Sequence, residues 1–339
     1  MKDNGVSVIV CCYNSSSVIE PTLQHIAAQI FDDNIVCEVI LVDNASTDDI
    51  QEKAKDIWTK TNCPNIKLTI VHEPKPGLAH ARQKGINEAN YEYFVFCDDD
   101  NWLDKNYLNN VFRLFKANTT VAILGGNGTA HFEDEHLKPE WFDKFHQSYA
   151  TGALAEDESI VNSVYGAGMA VRKSVLMRVM SEHPMFLHGR KQNQLTSGED
   201  TEICLRVRLA GYNILYSPEL TFKHFLLNKR LTWAYLKKLH VGLAKSHIVI
   251  NLYERALSAQ RSTLPSFYWL KKATYYWGIY LKYWPKHFSV YKNREGTIEE
   301  IHHIMWKSIA SDYIAYNFKT ISIYRHIISL KNDLKGIYK

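Results

Sequence analysis

Four apolar runs, each followed by a polar loop, constrain the fold of this chain more than any other feature of its sequence. They span residues 6–12 (VSVIVCC), 38–42 (EVILV), 67–72 (KLTIVH) and 93–97 (YFVFC). Continuous, largely β-branched runs of this length are typical of strands buried on both faces. Helical segments are predicted between them, at residues 21–29 and 79–89. This alternation predicts an α/β fold with a parallel sheet and right-handed crossovers.

Ligands of such sheets bind beyond the carboxyl ends of the strands, so the polar loops after the four runs are where we expect the chemistry. Two nucleotide-binding patterns are absent from the chain. There is no GxGxxG after the first run and no GxxxxGK[ST] anywhere, which excludes the dinucleotide fingerprint and the P-loop.

The length of 339 residues suits one large α/β domain with an appendage, or two domains. Hydrophobic residues make up 46% and charged residues 22%, which excludes a disordered chain. The longest stretches without a charged residue are 16 residues, short of the roughly 20 that a membrane span needs. The chain start lacks the features of a signal peptide, and the six cysteines match no zinc pattern. We therefore expect a cytoplasmic protein with buried free thiols.

Charge is distributed unevenly along the chain. Residues 221–339 hold 20 Lys and Arg against 6 Asp and Glu, whereas residues 1–220 hold 20 against 30. This asymmetry predicts two regions that face different partners. We place a catalytic domain at residues 1–225 and a basic, aromatic-rich helical region at residues 226–339.

An acidic run, Asp98-Asp99-Asp100, directly follows the fourth apolar run. Adjacent carboxylates repel one another unless a cation or solvent compensates their charge. Because alternate side chains of an extended segment share a face, Asp98 and Asp100 can converge while Asp99 points away. Two convergent carboxylates suit Mg²⁺ or Mn²⁺, which would also bind diphosphate oxygens. The alternative is a solvated loop that caps a helix at residues 103–116.

Five segments resemble, in the same order, those of family 2 glycosyltransferases of the GT-A fold, the inverting, nucleotide-sugar-dependent class, in particular the bacterial cell-surface polysaccharide type. They are SVIVCCYN (7–14), EVILVDNASTDD (38–49), PGLAHARQKGINEA (76–89), YFVFCDDDNWL (93–103) and SGEDTEICLRVRLAGY (197–212). The resemblance implies a Rossmann-like, mostly parallel sheet flanked by helices. Residues beyond about 225 share nothing diagnostic with the family, and we expect them to form an α-helical extension.

The resemblance implies that three residues bind the nucleotide. Tyr13 falls where the family holds the base, although a tyrosine that closes a strand is often only packed. Asp43 falls where the family bonds the base edge, and a carboxylate can accept from the N3–H of uracil, which favours a uridine nucleotide. Its alternative role is a helix cap. Arg82 lies in the helix that contacts base and phosphates, but surface helices also carry arginines with no such role.

The resemblance also makes Asp98 and Asp100 the first and last acids of a DXD motif. The Mn²⁺ or Mg²⁺ that they hold would neutralise charge on the departing diphosphate. The middle acid, Asp99, leaves the register of the motif ambiguous, so Asp98 and Asp99 also count as donor-binding residues. His224 falls where some relatives place a metal-binding histidine; alternatively, it belongs to the core.

The general base of the family corresponds to Asp200, with Glu199 as the other candidate. It would take the proton of an acceptor hydroxyl as that oxygen attacks the anomeric carbon opposite the diphosphate, so that one displacement inverts the configuration. Alternatively, Asp200 only caps the helix at residues 201–209. The segment at residues 164–172 resembles the strand that lines the sugar and acceptor pocket.

Residues 267–284 combine nine aromatic side chains with three lysines and no acid. This composition suits a helix on a membrane surface. We therefore expect peripheral contact with the inner face of the membrane, through a region that positions the enzyme and does not build its site. Alternatively, these aromatic side chains pack on the catalytic domain or on a second subunit. In the latter case the protein would be a homo-oligomer. No motif supports nucleic-acid binding.

The sequence thus predicts a metal-dependent hexosyltransferase that moves a sugar from a nucleotide-sugar donor, UDP-sugar favoured, to a hydroxyl of a glycan or lipid-linked acceptor. One alternative is an inactive binding subunit. The sequence argues against it because it retains Asp98, Asp100 and Asp200. A second alternative, a sugar-phosphate nucleotidyltransferase, would carry a glycine-rich basic loop after the first strand, where this chain has YNSSS at residues 13–17.

Overall fold

The computed structural model describes residues 2–32, 34–181, 183–187, 189, 197–258, 262–291 and 294–335. These residues form one nine-stranded mixed sheet with helices packed against it. The strands, in chain order, are β1 (Lys2–Cys12), β2 (Val36–Asp43), β3 (Ile66–His72), β4 (Tyr91–Asp98), β5 (Asn101–Leu103), β6 (Val121–Phe132), β7 (Ser159–Ile160), β8 (Ala170–Arg172) and β9 (Asn213–Leu226).

The helices lie between the strands in the first two thirds of the chain and follow one another after β9. They are α1 (Ile19–Ala27), α2 (Ile50–Thr61), α3 (Leu78–Glu88), α4 (Tyr107–Ala117), α5 (Phe142–Phe145), α6 (Lys173–Met180), α7 (Glu199–Leu209), α8 (Trp233–Ser258), α9 (Tyr268–Lys286), α10 (Ile298–Tyr316) and α11 (Lys319–Asp333). A short 3₁₀ turn, Asn228–Arg230, connects β9 to α8. None of the described helices combines the length and the apolarity needed to cross a bilayer.

The strand order is β3-β2-β1-β4-β8-β6-β9-β5, with β7 beside β9. The four predicted runs form β1 to β4, which are parallel as expected. Strand β8 then pairs antiparallel with both β4 and β6, and β5 pairs antiparallel with β9. The second half of the sheet is therefore mixed.

The two faces of the sheet bury alternate residues of the same strands. In β1, Val8 and Val10 belong to the core under α1, α2 and α4, whereas Ile9 belongs to the core under α3, α6, α7 and α8. All three side chains are fully buried. Burial on both faces explains why the first run is continuously apolar and does not alternate.

The helices after β9 share the second of these cores. Leu252 and Tyr253 of α8, Tyr313 of α10 and Ile327 of α11 are fully buried in the cluster that contains Ile9. In the aromatic segment at residues 267–284, Tyr268 and Ala273 are buried in the same cluster, so the predicted alternative of packing on the catalytic fold is realised for part of that segment. The division at residue 225 stays a prediction.

Two predicted elements differ in the structure. The helix expected at residues 103–116 begins only at Tyr107, because residues 101–103 form β5, where the Trp102 ring stacks on Phe225 of β9 with centroids 5.4 Å apart. The strand expected at residues 164–172 is confined to Ala170–Arg172. Gly168 takes a positive φ of 71° in the turn before it, which ends the extended conformation.

Candidate active site

A cleft with a volume of about 880 Å³ lies at the carboxyl ends of β1 and β4. These strands are parallel neighbours, and their register places Cys11 opposite Asp98. Eight of the nine predicted site residues line the cleft: Tyr13, Arg82, Asp98, Asp99, Asp100, Glu199, Asp200 and His224. These eight residues therefore lie together in one cleft, while their chemical roles stay predictions.

The acidic run is shaped by a buried asparagine. Asn101 accepts a hydrogen bond from the Asp98 N–H at 3.4 Å and donates one from Nδ2 to Asp100 Oδ1 at 3.2 Å. The hydroxyl of Thr22 in α1 donates to the Asp99 carbonyl at 2.8 Å. These contacts fix the turn that presents the three carboxylates at the end of β4.

Asp100 is buried between two basic side chains. Its Oδ2 lies 2.8 Å from Arg230 Nη1, and its Oδ1 lies 3.5 Å from His224 Nε2. Burial by itself would raise the pKa of Asp100, but His224 and Arg230 hold that pKa well below its ordinary value. Asp98 is 35% exposed to the cleft, with its Oδ1 3.9 Å from Arg82 Nη2. Asp100 is therefore an ionised group whose charge is already compensated.

A backbone carbonyl orients the His224 ring. Its Nδ1 lies 2.6 Å from the Tyr149 carbonyl oxygen, which can only accept, so Nδ1 carries a proton and Nε2 is the nitrogen that faces Asp100. A nitrogen so oriented, together with the Asp98 and Asp100 carboxylates, is a donor set that fits Mn²⁺ by its chemistry. Among the described residues, however, no three His, Cys, Asp or Glu side chains already converge as a metal site.

Arg82 connects the acidic run to α7. Its Nη1 lies 2.6 Å from Glu199 Oε1, and both side chains are buried. The guanidinium also lies 4.6 Å above the centroid of the Phe96 ring. Glu199 is thus held in an ion pair inside the cleft wall.

Asp200 is only half-buried, and both of its carboxylate oxygens are oriented by the backbone. Oδ2 accepts from the Gly166 N–H at 3.0 Å, and Oδ1 accepts from the Thr201 N–H at 2.8 Å. A Cβ at position 166 would lie 3.0 Å from Asp200 Oδ2 and 3.1 Å from Arg82 Nη2, so a side chain there would crowd both groups. This geometry suits a fixed carboxylate beside a bound ligand.

The two predicted base-binding residues lie in different surroundings. Tyr13 is 53% exposed at the cleft. Asp43 is buried and is not part of the lining that the described residues form. It accepts from the Ser46 N–H at 3.0 Å and from Gln51 Nε2 at 2.6 Å, and these bonds outweigh burial, so that the pKa of Asp43 is lowered. Asp43 thus stabilises the turn after β2, whereas the predicted helix-capping alternative is not realised, because α2 begins at Ile50 directly after Asp49.

Asn44, which the sequence analysis did not select, lines the cleft beside Asp43. Its Nδ2 donates to the Lys75 carbonyl at 2.7 Å, and its Oδ1 accepts from the Gly77 N–H at 2.8 Å. It therefore ties the loop after β2 to the glycine loop before α3. Its position directly after Asp43 at the end of a strand was the available signal.

The C-terminal region also contributes to the cleft, which the sequence analysis did not expect. Lys229 and Arg230 come from the 3₁₀ turn after β9, and Tyr235, Leu239 and Leu243 come from α8. For residues 229–250 the expectation that the C-terminal region does not build the site is therefore wrong, whereas no described residue beyond Ile250 lines the cleft. The repeat of Tyr235, Leu239 and Leu243 at four-residue spacing is visible in the sequence, but the surface it faces is not.

Residues 7–180 match the sequence model of the family described as glycosyl transferase family 2. The chain therefore belongs to this family. The predicted family membership is confirmed, whereas the roles of the individual site residues stay predictions.

Two curated relatives and one solved structure illustrate the similarity. EpsH of Bacillus subtilis, named as a glycosyltransferase, is 31% identical over 134 residues, which are 40% of this chain and 36% of EpsH. The poly-β-1,6-N-acetyl-D-glucosamine synthase of Staphylococcus aureus is 24% identical over 217 residues, which are 63% of this chain and 48% of the synthase. The chain thus spans between about a third and a half of the length of these relatives.

The solved structure is the mannosyltransferase PcManGT of Pyrobaculum calidifontis in complex with GDP-Man and Mn²⁺. Its TM-score is 0.53 at 18% sequence identity, and the alignment covers 97% of this chain and 84% of that chain. At this identity the likeness shows the fold alone. The predicted GT-A fold is thereby confirmed.

Proposed function

We propose that the protein is a metal-dependent, inverting glycosyltransferase that moves a hexosyl group from a nucleotide-sugar to an acceptor hydroxyl. The observation that carries this proposal is the meeting, in one cleft, of the Asp98–Asp100 run with the oriented carboxylate of Asp200. Membership of family 2 and the nucleotide-sugar and Mn²⁺ bound by the mannosyltransferase of the same fold support it.

The donor diphosphate would lie at the Asp98–Asp100 end of the cleft. Asp98, Asp100 and His224 Nε2 would hold Mn²⁺ or Mg²⁺, which when bound supplies positive charge for the departing diphosphate. Arg230, whose guanidinium lies against Asp100 Oδ2, would bring a second positive charge close to the same oxygens. Such fixed charges stabilise a leaving group best when they need no rearrangement during the reaction.

The acceptor would be activated by Asp200. The backbone donors of Gly166 and Thr201 orient its carboxylate, which would take the proton of the acceptor hydroxyl as that oxygen attacks the anomeric carbon. Glu199 is the weaker candidate because its carboxylate is paired with Arg82. A single displacement of this kind inverts the anomeric configuration, so an NMR spectrum showing a retained configuration in the product would contradict the proposal.

The base would stack on Tyr13, which is exposed at the cleft. Asp43 would read the base edge and so favour uridine. It would use the second lone pair of Oδ1, because Ser46 bonds to the first and Gln51 and His72 both contact Oδ2. The assignment of a UDP-sugar therefore depends on one buried carboxylate. It is tested by comparing how strongly different nucleotide-sugars bind.

A thermal-shift panel tests the donor class. We expect one UDP-sugar to raise the Tm in the presence of Mn²⁺ and to have little effect with EDTA, because ligand binding to the folded state stabilises it by mass action. GDP-mannose at the same concentration is the matched control for the nucleotide and should raise the Tm less than the UDP-sugar. Stabilisation by no nucleotide-sugar would contradict the proposed function, and slow hydrolysis of the bound donor would exclude the inactive-subunit alternative.

The exposed side of α9 supports the proposed peripheral contact with the inner face of the membrane. Leu270, Leu281 and Trp284 are exposed, Lys271 and Lys282 lie on the same solvent-facing half of the helix, and α9 contains no acidic residue. Exposed apolar side chains beside lysines fit an anionic lipid surface. Flotation with anionic vesicles at low salt tests this contact, and a Leu281→Ser variant should float less than wild type; failure of the wild type to float would contradict it.

A further inference from the structure

One wall of the cleft is a stripe of mostly apolar side chains along α8, which we call the α8 stripe. It consists of Tyr235, Leu239, Leu243, Ser246 and Ile250. Spacings of three and four residues place these side chains on one face of the helix. At 1.5 Å per residue the stripe is roughly 22 Å long. It lies outside residues 7–180, the part that matches the family.

The α8 stripe passes directly beside the proposed base. The hydroxyl of Ser246 donates to the carbonyl of Ser197, and a Cβ at Gly198 would lie 2.9 Å from the Ser246 Cβ. Helix α8 therefore touches the backbone immediately before Glu199 and Asp200. Asp200 and the α8 stripe line the same cleft, so a molecule that presents a hydroxyl to Asp200 can extend along this part of α8.

The chemistry of the α8 stripe differs from that of the donor end. The donor end carries the three aspartates, Lys229 and Arg230, whereas the stripe carries no charged side chain. Leu243 and Ile250 flank Ser246 and are only half-buried, although both line the cleft. Leu154 adds a further half-buried apolar side chain to the same cleft. Sugar hydroxyls need polar partners, so these side chains are better matched to hydrocarbon.

We infer that the α8 stripe binds the hydrocarbon aglycone of an amphiphilic acceptor, whose sugar presents its hydroxyl to Asp200. Leu243 and Ile250 contact the chain on either side of Ser246. This inference rests on the proposed function, and it narrows the acceptor from any glycan to a sugar joined to an alkyl or prenyl group. Each methylene that leaves water for such a surface strengthens binding by up to about fourfold.

Matched short-chain acceptors test the inference without a membrane. Methyl and octyl β-glycosides of glucose, galactose, mannose and N-acetylglucosamine are compared below the micelle concentration, with the donor selected by thermal shift. For the sugar that is used, we expect the octyl glycoside to have a KM at least tenfold below that of the methyl glycoside, at similar kcat. Equal KM values in the wild-type protein would overturn the inference.

Variants of the α8 stripe test whether these side chains cause the lower KM of the octyl glycoside. Leu243→Asn and Ile250→Asn should each raise the KM for the octyl glycoside about tenfold and leave the KM values for the methyl glycoside and the donor unchanged. Leu243→Trp should exclude the chain by size without adding polarity, which covers the case of an asparagine variant that does not fold. Ile314→Asn, the same kind of change on the exposed side of α10, is the control and should have no effect. Equal losses for both glycosides would show a general packing role and overturn the inference.

Binding measured without turnover separates this inference from the proposed function. In saturation-transfer NMR, the alkyl protons of octyl β-glucoside should receive saturation from the wild-type protein and lose most of it with Leu243→Asn. Absence of that transfer while Mn²⁺-dependent donor binding persists would overturn the inference alone. Absence of donor binding would overturn the proposed function, and this inference with it.

Discussion

Arg82 Nη1 lies 2.6 Å from Glu199 Oε1, and this contact joins the helix after the glycine loop to the helix that carries the proposed base. Both side chains are buried, and Arg82 Nη2 also faces Asp98 at 3.9 Å. One guanidinium therefore lies between the acidic run at the end of β4 and the acid pair at the start of α7. The two acidic segments can approach each other because this cation compensates their charges.

The first prediction concerns the stability that this ion pair provides. Arg82→Met should lower the free energy of unfolding by roughly 3–5 kcal/mol, because it leaves the buried Glu199 without its partner charge. The double variant Arg82→Met/Glu199→Gln should recover part of the loss, since the buried side chain at position 199 then carries no charge. Urea unfolding of both variants measures this. A loss below about 1 kcal/mol in the single variant would mean that Glu199 is compensated elsewhere.

The second prediction concerns the metal. Asp98→Asn and Asp100→Asn should each weaken Mn²⁺ binding in the presence of UDP at least about tenfold, because each removes an anionic oxygen ligand. Asp99→Asn should have a smaller effect. Isothermal titration calorimetry gives the affinities, with Asp157→Asn in an exposed loop as the control. Equal affinities in the three acidic-run variants would contradict the assignment of the motif.

The third prediction tests the contribution of the C-terminal region to the site. Arg230→Gln should lower kcat/KM for the donor by about 10- to 100-fold, since hydrogen bonds to charged groups contribute roughly 1.5–3 kcal/mol. Lys238→Gln, an exposed basic residue of α8, is the matched control and should behave like wild type. Steady-state kinetics with varied donor decide the outcome. An unchanged kcat/KM in the Arg230→Gln enzyme would show that Arg230 contributes neither to donor binding nor to turnover.

The fourth prediction concerns pH. Burial, together with the nearby His287 and Lys307, lowers the pKa of His303 from 6.5 to about 4. Between these two pH values the unfolded chain binds a proton that the folded protein does not, so stability should fall as the pH falls from about 6.5 to about 4. His303→Phe keeps a ring for stacking on Tyr280, 4.1 Å away between centroids, and should flatten this dependence.

Chemical denaturation at pH 7 and pH 4.5 measures the difference. The exposed His136→Gln variant should keep the pH dependence of the wild-type protein. If His303→Phe loses as much stability on acidification as wild type, the acid sensitivity originates elsewhere, for instance at His240, whose pKa burial also lowers to about 4.

Much of the fold could be predicted from the sequence because its first half is locally consistent. The runs that became β1 to β4 are apolar, and each ends in a polar loop, so their carboxyl ends had to meet at one edge of a parallel sheet. The placement of Asp98 in the cleft follows from that arrangement, whereas Asp200 lies in the first turn of α7 and was assigned to the site by the family resemblance alone. The limits of β5 could not be predicted, because its pairing with β9 joins residues far apart in the chain.

The contributions of the C-terminal region could not be predicted for a different reason. Arg230 is one of 20 basic residues after residue 220, and nothing in its neighbours in sequence marks it as the one that pairs with Asp100. Similarly, the four-residue repeat of Tyr235, Leu239 and Leu243 predicts a helix with an apolar face. It does not indicate that this face lines a cleft with charged residues at its other end.

The assignment of Asp200 as general base is the central claim, and the turnover of Asp200→Asn tests it most directly. With saturating donor and acceptor, kcat should fall by roughly 10²–10⁴-fold, as general-base loss typically costs, while the donor KM stays near that of wild type. Asparagine keeps the size of the side chain, and its single oxygen can accept one of the two hydrogen bonds, from Gly166 or from Thr201, so the fold of the site should persist. A kcat within a few-fold of wild type would contradict the account and transfer the role to another group.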